Sequence, residues 1–184
     1  MRKFVSVGVL IFVLAMTAAA ADVPKFELFG GISWLHIDDM NSPAITGIAV
    51  RKNYPGWDTA LQFNMNRWLG IKGDISGHYG PPVSGGPSGS SHSFLFGPQI
   101  TRRGEHARPF AHALFGINRV SISGFSDSTF AMAFGGGLDA KINDRFAVRI
   151  GQLDWLYTRH DATGIGLKDH QSNIKYAGGI VIGF

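Results

Sequence analysis

"WDTALQFNMNRW", residues 57–68, alternates without a break: Thr59, Leu61, Phe63 and Met65 fall on one side of an extended chain, and Asp58, Ala60, Gln62, Asn64 and Asn66 on the other. Successive side chains of a β-strand point to opposite faces, so this stretch is a strand with one apolar and one polar face. The split recurs in "LGIKGDISGHYG" (69–80), where Leu69, Ile71, Ile75 and Tyr79 oppose Lys72, Asp74, Ser76 and His78. In "FAMAFGGGLDAKI" (130–142) it sets Phe130, Met132, Phe134, Leu138 and Ile142 against Ala133, Gly135, Gly137, Asp139 and Lys141. No segment of the mature chain sustains a helical period.

Extending that reading predicts eight strands: Lys25–Ile37, Trp57–Arg67, Leu69–Tyr79, His92–Arg102, Pro109–Val120, Thr129–Ile142, Arg145–Arg159 and Asn173–Phe184. Their connections alternate in length. Short turns at "RWLG", "RGEHAR" and "ND" follow strands two, four and six, whereas Asp38–Gly56, "GPPVSGGPSGSS", Ser121–Ser128 and His160–Ser172 follow one, three, five and seven. Within the first of these, "AITGIAVRKN" is able to extend the sheet. The expected fold is all-β: an eight-stranded, antiparallel, up-and-down transmembrane β-barrel, because short turns at one end and long loops at the other are the plan of outer-membrane barrels.

Alternation alone does not say which face is inside, since a soluble lipocalin-like barrel has the same period. Three features favour the membrane. The polar face holds charges of both signs, which suits a filled lumen. Aromatics stand near strand ends, as in interfacial girdles: Phe26, Trp34, Trp57, Trp68, Tyr79, Phe146, Trp155 and Tyr157. The third is the final strand, "NIKYAGGIVIGF", which carries Ile174, Tyr176, Ile180, Ile182 and Phe184 on one face.

The first residues, "MRKFVSVGVLIFVLAMTAAAAD", have the plan of a secretory signal: Arg2 and Lys3, an apolar run, then Ala19 and Ala21 at the −3 and −1 positions. Residues 1–21 are therefore expected to be a signal peptide, and 22–184 one barrel domain; 184 residues leave no room for a second. With no cysteine, disulfide staples and thiolate metal sites are excluded. The net charge of +4 comes from singly scattered cations, so nucleic acid is not an expected partner.

The quoted strands, with "HSFLFGPQITRR", "PFAHALFGINR" and "FELFGGISWLHI", resemble the small outer-membrane β-barrel family whose type is outer membrane protein A, especially its stand-alone eight-stranded members. The resemblance covers the whole mature chain. It implies the bacterial outer membrane as location, with outer-membrane lipid and lipopolysaccharide around the barrel. The last strand is also similar to the carboxy-terminal signal read by the barrel-assembly machinery: Tyr176, Gly179, Ile180, Ile182 and Phe184 fit it, and Ala177 departs at the position that is usually polar.

Charges inside a narrow barrel are costly unless paired, so a plugging lumen network is expected from Glu27, Lys72, Asp74, His112, Asp139, Lys141, Arg149, Gln152, Asp154 and Lys175. Lys72 stands beside Asp74 along one strand and Asp139 beside Lys141 along another, with Arg149, Glu27 and Lys175 on neighbouring walls, so both signs are available for pairing across the lumen. Strand seven changes parity: Phe146, Val148 and Ile150 are followed by Leu153, Trp155 and Tyr157, which predicts a β-bulge near Ile150–Gly151.

No catalytic site, cofactor or metal is expected. Ser76 with His78 and His92 with Ser93 are the candidate nucleophile–base pairs; the first shares the lumen face, away from a lipid substrate, and the members of the second point to opposite faces. His36, His78, His92, His106, His112, His160 and His170 form no HxH or HxxxH pair. The reading reached is a non-enzymatic barrel with a structural or surface-interaction role through external loops whose ligand is not named by the sequence. Alternatives are a small ion or solute pore, a lipid A-modifying enzyme, or a soluble lipocalin-like binder.

Overall fold

The computed structural model describes residues 23–37, 53–80, 89–122, 125–162 and 167–184. The signal-peptide segment and most of "AITGIAVRKN" lie outside them. Among the described residues there are eight strands: β1 (Phe26–Ile37), β2 (Asn53–Asn64), β3 (Leu69–Gly80), β4 (Gly89–Thr101), β5 (Ala107–Ile122), β6 (Phe125–Lys141), β7 (Phe146–Ala162) and β8 (Leu167–Gly183). Each pairs with the next in sequence, and β1 closes on β8 from Glu27↔Gly183 to Ile37↔Asn173, giving a closed up-and-down barrel. Closure leaves no strand edge, which is the condition for a sheet to sit in hydrocarbon with every backbone group paired.

Short side chains make the tight turns. Asn66 Oδ1 accepts the backbone N–H groups of Trp68 and Leu69 at 2.9 and 2.8 Å, and Asn143 Oδ1 accepts those of Arg145 and Phe146 at 2.9 and 2.8 Å. Both are asparagine turns that satisfy backbone donors locally.

The alternation resolves into an inside-out polarity. Leu61, Phe96, Ile150 and Ile180 face outward with more than half of their surface exposed, while Asp58, Lys72, Asp74 and Asp154 inside are each 1% exposed. An apolar exterior of this extent is unfavourable in water at ~25 cal/mol per Å² and favourable in lipid, which removes the soluble lipocalin-like alternative.

Strand lengths differ round the barrel. β1 to β3 have 12 residues each, whereas β6, β7 and β8 have 17. A tilted membrane strand needs only ~9–11 residues, so the longer strands stand clear of the apolar band by ~15 Å. This corrects two of the four expected long loops, Ser121–Ser128 and His160–Ser172; the other two lie mostly outside the described residues. Ser121 and Ile122 pair with Ser126 and Phe125, and His160 and Ala162 pair with Asp169 and Leu167. The apolar alternation stops where lipid stops, but backbone ladder bonds carry the strands further.

The bulge lies where the parity change places it. Leu138 pairs with Gly151 and Asp139 with Arg149, while on the other side Arg149 pairs with Gly179 and Gln152 with Ala177. Ile150 and Gly151 together oppose one residue, and Asp154 turns inward. Tyr176 Oη donates to the Ile150 carbonyl at 3.1 Å, capping the irregularity from β8.

Candidate functional site

The lumen gathers most of the polar side chains, and it is built in layers. At the short-turn end, Arg103 holds Glu27 through two hydrogen bonds, at 2.8 and 3.0 Å, with Arg108 at 3.6 Å. Gln99 Nε2 donates to Gln62 Oε1 at 2.6 Å, and Gln62 Nε2 to Asn64 Oδ1 at 2.7 Å, which ties β4 to β2 across the interior.

Above that layer, Arg149 donates to Asp139 through Nε and Nη2 at 2.8 and 3.1 Å and to Gln152 Oε1 through Nη1 at 2.6 Å. The rings of Phe29 and Phe110 flank its guanidinium with centroids 4.2 and 4.3 Å away. A paired cation between two aromatic faces is a strong arrangement in a poorly screened interior. Two glycines make room for it. A side chain on Gly137 would strike the Phe110 ring and the Gly151 carbonyl, and one on Gly135 would strike Asp154. The "GGG" run is thus a packing device.

The next layer is an ion cluster. Lys175 Nζ lies 2.8 Å from Asp58, 3.0 Å from Asp74 and 3.3 Å from Asp154, and Lys72 Nζ lies 2.9 Å from Asp74. His112 Nε2 meets Asp154 at 2.9 Å and Gln152 Nε2 donates to Asp154 at 2.6 Å. Leu35, Tyr54, Leu95, Leu114, Ala131, Ala133 and Leu156 form a buried apolar cluster within the barrel. A cavity of about 10 Å³ between Glu27, Phe29, Gln62, Lys72 and Arg149 has room for one water molecule at most.

Of the residues named from sequence, Glu27, Lys72, Asp74, His112, Asp139, Arg149, Gln152, Asp154 and Lys175 converge here. Lys141 does not. Its ammonium pairs with the exposed Asp144 in the β6–β7 turn at 2.7 Å, because it sits at the rim where water is nearer than the lumen. Asp139 pairs with Arg149 on the neighbouring strand. Asp144 is held below the usual carboxylate range by its hydrogen bond from Lys141 and by the charge of that lysine.

Sequence reasoning missed Asp58, Arg103, Arg108, Phe29 and Phe110. Asp58 shares the polar parity of "WDTALQFNMNRW" and was legible there. Arg103 and Arg108 read as turn residues but reach back to Glu27, and Phe29 and Phe110 are aromatic residues on the inward face, which a two-letter polar pattern does not flag.

The nucleophile–base pairs do not assemble. Ser76 and His78 both face the lumen, but His78 Nε2 meets Ser33 Oγ at 2.9 Å, and Ser76 Oγ has no hydrogen-bond partner among the described residues. Ser93 receives a hydrogen bond from Asn118 at 3.1 Å inside the barrel while His92 bonds to Tyr79 outside it. Among the described residues no group of His, Asp or Glu is placed to hold a metal ion. In the closing strand, Tyr176, Ile180 and Phe184 face lipid, Ile182 is half-buried, and Gly179 packs on the backbone of Gly30 and Gly31.

No protein-family model matches the chain, and no curated protein sequence does. Solved structures do. Neisserial surface protein A aligns with 10% identity and a TM-score of 0.65 over 87% of this chain and 97% of that one. Ail, the attachment invasion locus protein of Yersinia pestis, aligns with 17% identity and a TM-score of 0.54 over 88% and 99%. The outer membrane protein OprG of Pseudomonas aeruginosa aligns with 11% identity and a TM-score of 0.56 over 89% and 97%. At these identities the likeness concerns fold: an eight-stranded barrel of the bacterial outer-membrane type.

Proposed function

We propose that this chain, which has the fold of the small eight-stranded outer-membrane barrels, is a sealed, non-enzymatic surface protein that acts through its projecting hairpins. The observation that carries the proposal is the contrast between the two parts of the molecule. Inside, Glu27, Asp58, Asp74, Asp139 and Asp154 face Lys72, Arg103, Arg108, Arg149 and Lys175, one cation for each carboxylate, and the Arg149 guanidinium stands between the Phe29 and Phe110 rings across the interior. Outside, β5–β6 and β7–β8 continue past the apolar band. Ladder that is not needed to cross a membrane is costly in chain entropy and is explained by contact with something beyond it.

The likeness to Ail is consistent with this role, since that protein is an attachment invasion locus product that also forms a complex with the heparin analogue sucrose octasulfate. The test compares cells expressing the intact chain with cells expressing a form whose residues 121–126 are cut back to a short turn, using a panel of immobilised polysaccharides and matrix-type proteins. The shortened form is expected to insert normally and to lose binding that the intact form confers. Equal binding by both forms overturns the proposal.

A further inference from the structure

The outer wall of β2–β5 carries an unbroken cross-strand row at the edge of the apolar band. Trp57 pairs with Gly77, Gly77 with His92, His92 with Arg119, and Arg119 with Ser128. The indole of Trp57 lies across Gly77, where a Cβ would come within 2.9 Å of it. Trp57 Nε1 donates to Tyr79 Oη at 3.1 Å, and Tyr79 Oη lies 3.1 Å from His92 Nε2. An indole only donates, so the Tyr79 proton is best used on His92 Nε2, which leaves His92 Nδ1 as the N–H. That N–H and the exposed Arg119 guanidinium make no hydrogen bond or ion pair among the described residues, and both stand on the membrane side of the wall.

Directly toward the short-turn end, β1–β4 leave a groove of about 460 Å³. Leu61, Ile75, Phe94 and Phe96 wall it, and Gly73 opens its floor, where an added Cβ would have no neighbour closer than 3.9 Å. Anchoring aromatics alone would need neither the free donors nor the groove. Together they match an amphiphile with a phosphate at the band edge and an acyl chain below it.

We propose that this wall holds one phosphorylated lipid, the phosphate between Arg119 and His92 and one acyl chain along Gly73, and that the lipid is the lipopolysaccharide of the leaflet at the hairpin end. The site rests on the outer-membrane reading of the fold but not on what the hairpins bind. Arg119 supplies a planar fork suited to two phosphate oxygens, and the Trp57–Tyr79–His92 chain orients the imidazole.

The test is native mass spectrometry of the purified full chain with diphosphoryl lipid A, the same lipid with its phosphates removed, and phosphatidylglycerol. Diphosphoryl lipid A is expected to be retained in preference to the other two, and Arg119→Gln and Gly73→Leu are each expected to lower retention by about tenfold or more. Because both side chains point away from the lumen, the variants should migrate as folded barrels in unboiled gels, which separates loss of the site from loss of the fold. Unchanged retention in both folded variants overturns the site, and equal retention of phosphatidylglycerol overturns the assignment to lipopolysaccharide. Fractionation of cells reads the location separately, so failure of that premise is distinguishable.

Discussion

Arg149 and Asp139 meet as fork and carboxylate across the β6–β7 ladder, at 2.8 and 3.1 Å, in register with each other only because Ile150 and Gly151 bulge out beside them. The bulge therefore does two things at once: it brings this pair opposite each other and keeps Trp155 in lipid and Asp154 in the lumen.

Removing one partner leaves the other buried and unpaired. Arg149→Met is expected to cost ~3–5 kcal/mol, read as a lowered urea midpoint for loss of the folded band in detergent. Replacing the exposed Glu105 with Gln should stay within ~0.5 kcal/mol. The double variant Arg149→Met with Asp139→Asn is expected to recover much of the loss, since no lone charge remains; full additivity of the two single losses would argue against the pair.

Glycine tolerance should follow the direction of the missing side chain. Gly137→Ala sends a methyl into Phe110 and the Gly151 carbonyl and is expected to destabilise by ~1–3 kcal/mol. Gly73→Ala points into an open groove and should be close to neutral in the same unfolding assay. The reverse order would mean that the lumen packing is wrong.

How far these residues were readable beforehand depends on what each one obeys. The strands, the polarity switch and the bulge follow from a period of two, which "WDTALQFNMNRW" and the Ile150–Leu153 parity change display openly. The ladder beyond the lipid was not readable, because Ser121, Ser126 and Ser128 offer no apolar outer face there while the backbone pairing continues. The lumen was half readable. Lys72, Asp74 and Lys175 announce themselves as charges on a polar face, yet which cation meets which carboxylate is set by shear and cross-barrel distance, so Lys141 was placed in the lumen when the rim hands it to Asp144. Phe29 and Phe110 were hidden by being apolar on the inner face.

The closing strand separates folding from assembly. Phe184 contributes its backbone to closure, accepting from Lys25 N at 2.8 Å and donating to Phe26 O at 2.9 Å, so deleting it damages the barrel itself. Phe184→Ala keeps those bonds. We expect that variant to refold in detergent like the unmodified chain and to be exported, but to insert poorly in cells if the barrel-assembly machinery reads the aromatic. Efficient insertion in cells would remove that role from Phe184.

Tyr176 gives a smaller effect of a different kind. Tyr176→Phe removes only the hydrogen bond to the Ile150 carbonyl and is expected to cost ~0.5–1.5 kcal/mol. Amide exchange should quicken around Ile150–Gly151 and not at the far wall of β3–β4. Uniform acceleration would mean that the phenol does not cap the bulge.

The account turns on whether the lumen is sealed, and planar-bilayer recording of the purified, heat-modifiable protein measures that directly. With Arg149 clamped between Phe29 and Phe110 and Lys175 shared among Asp58, Asp74 and Asp154, little or no steady conductance is expected at moderate voltage. Stable, charge-selective channels from the unmodified chain would contradict the sealed barrel and make transport its function.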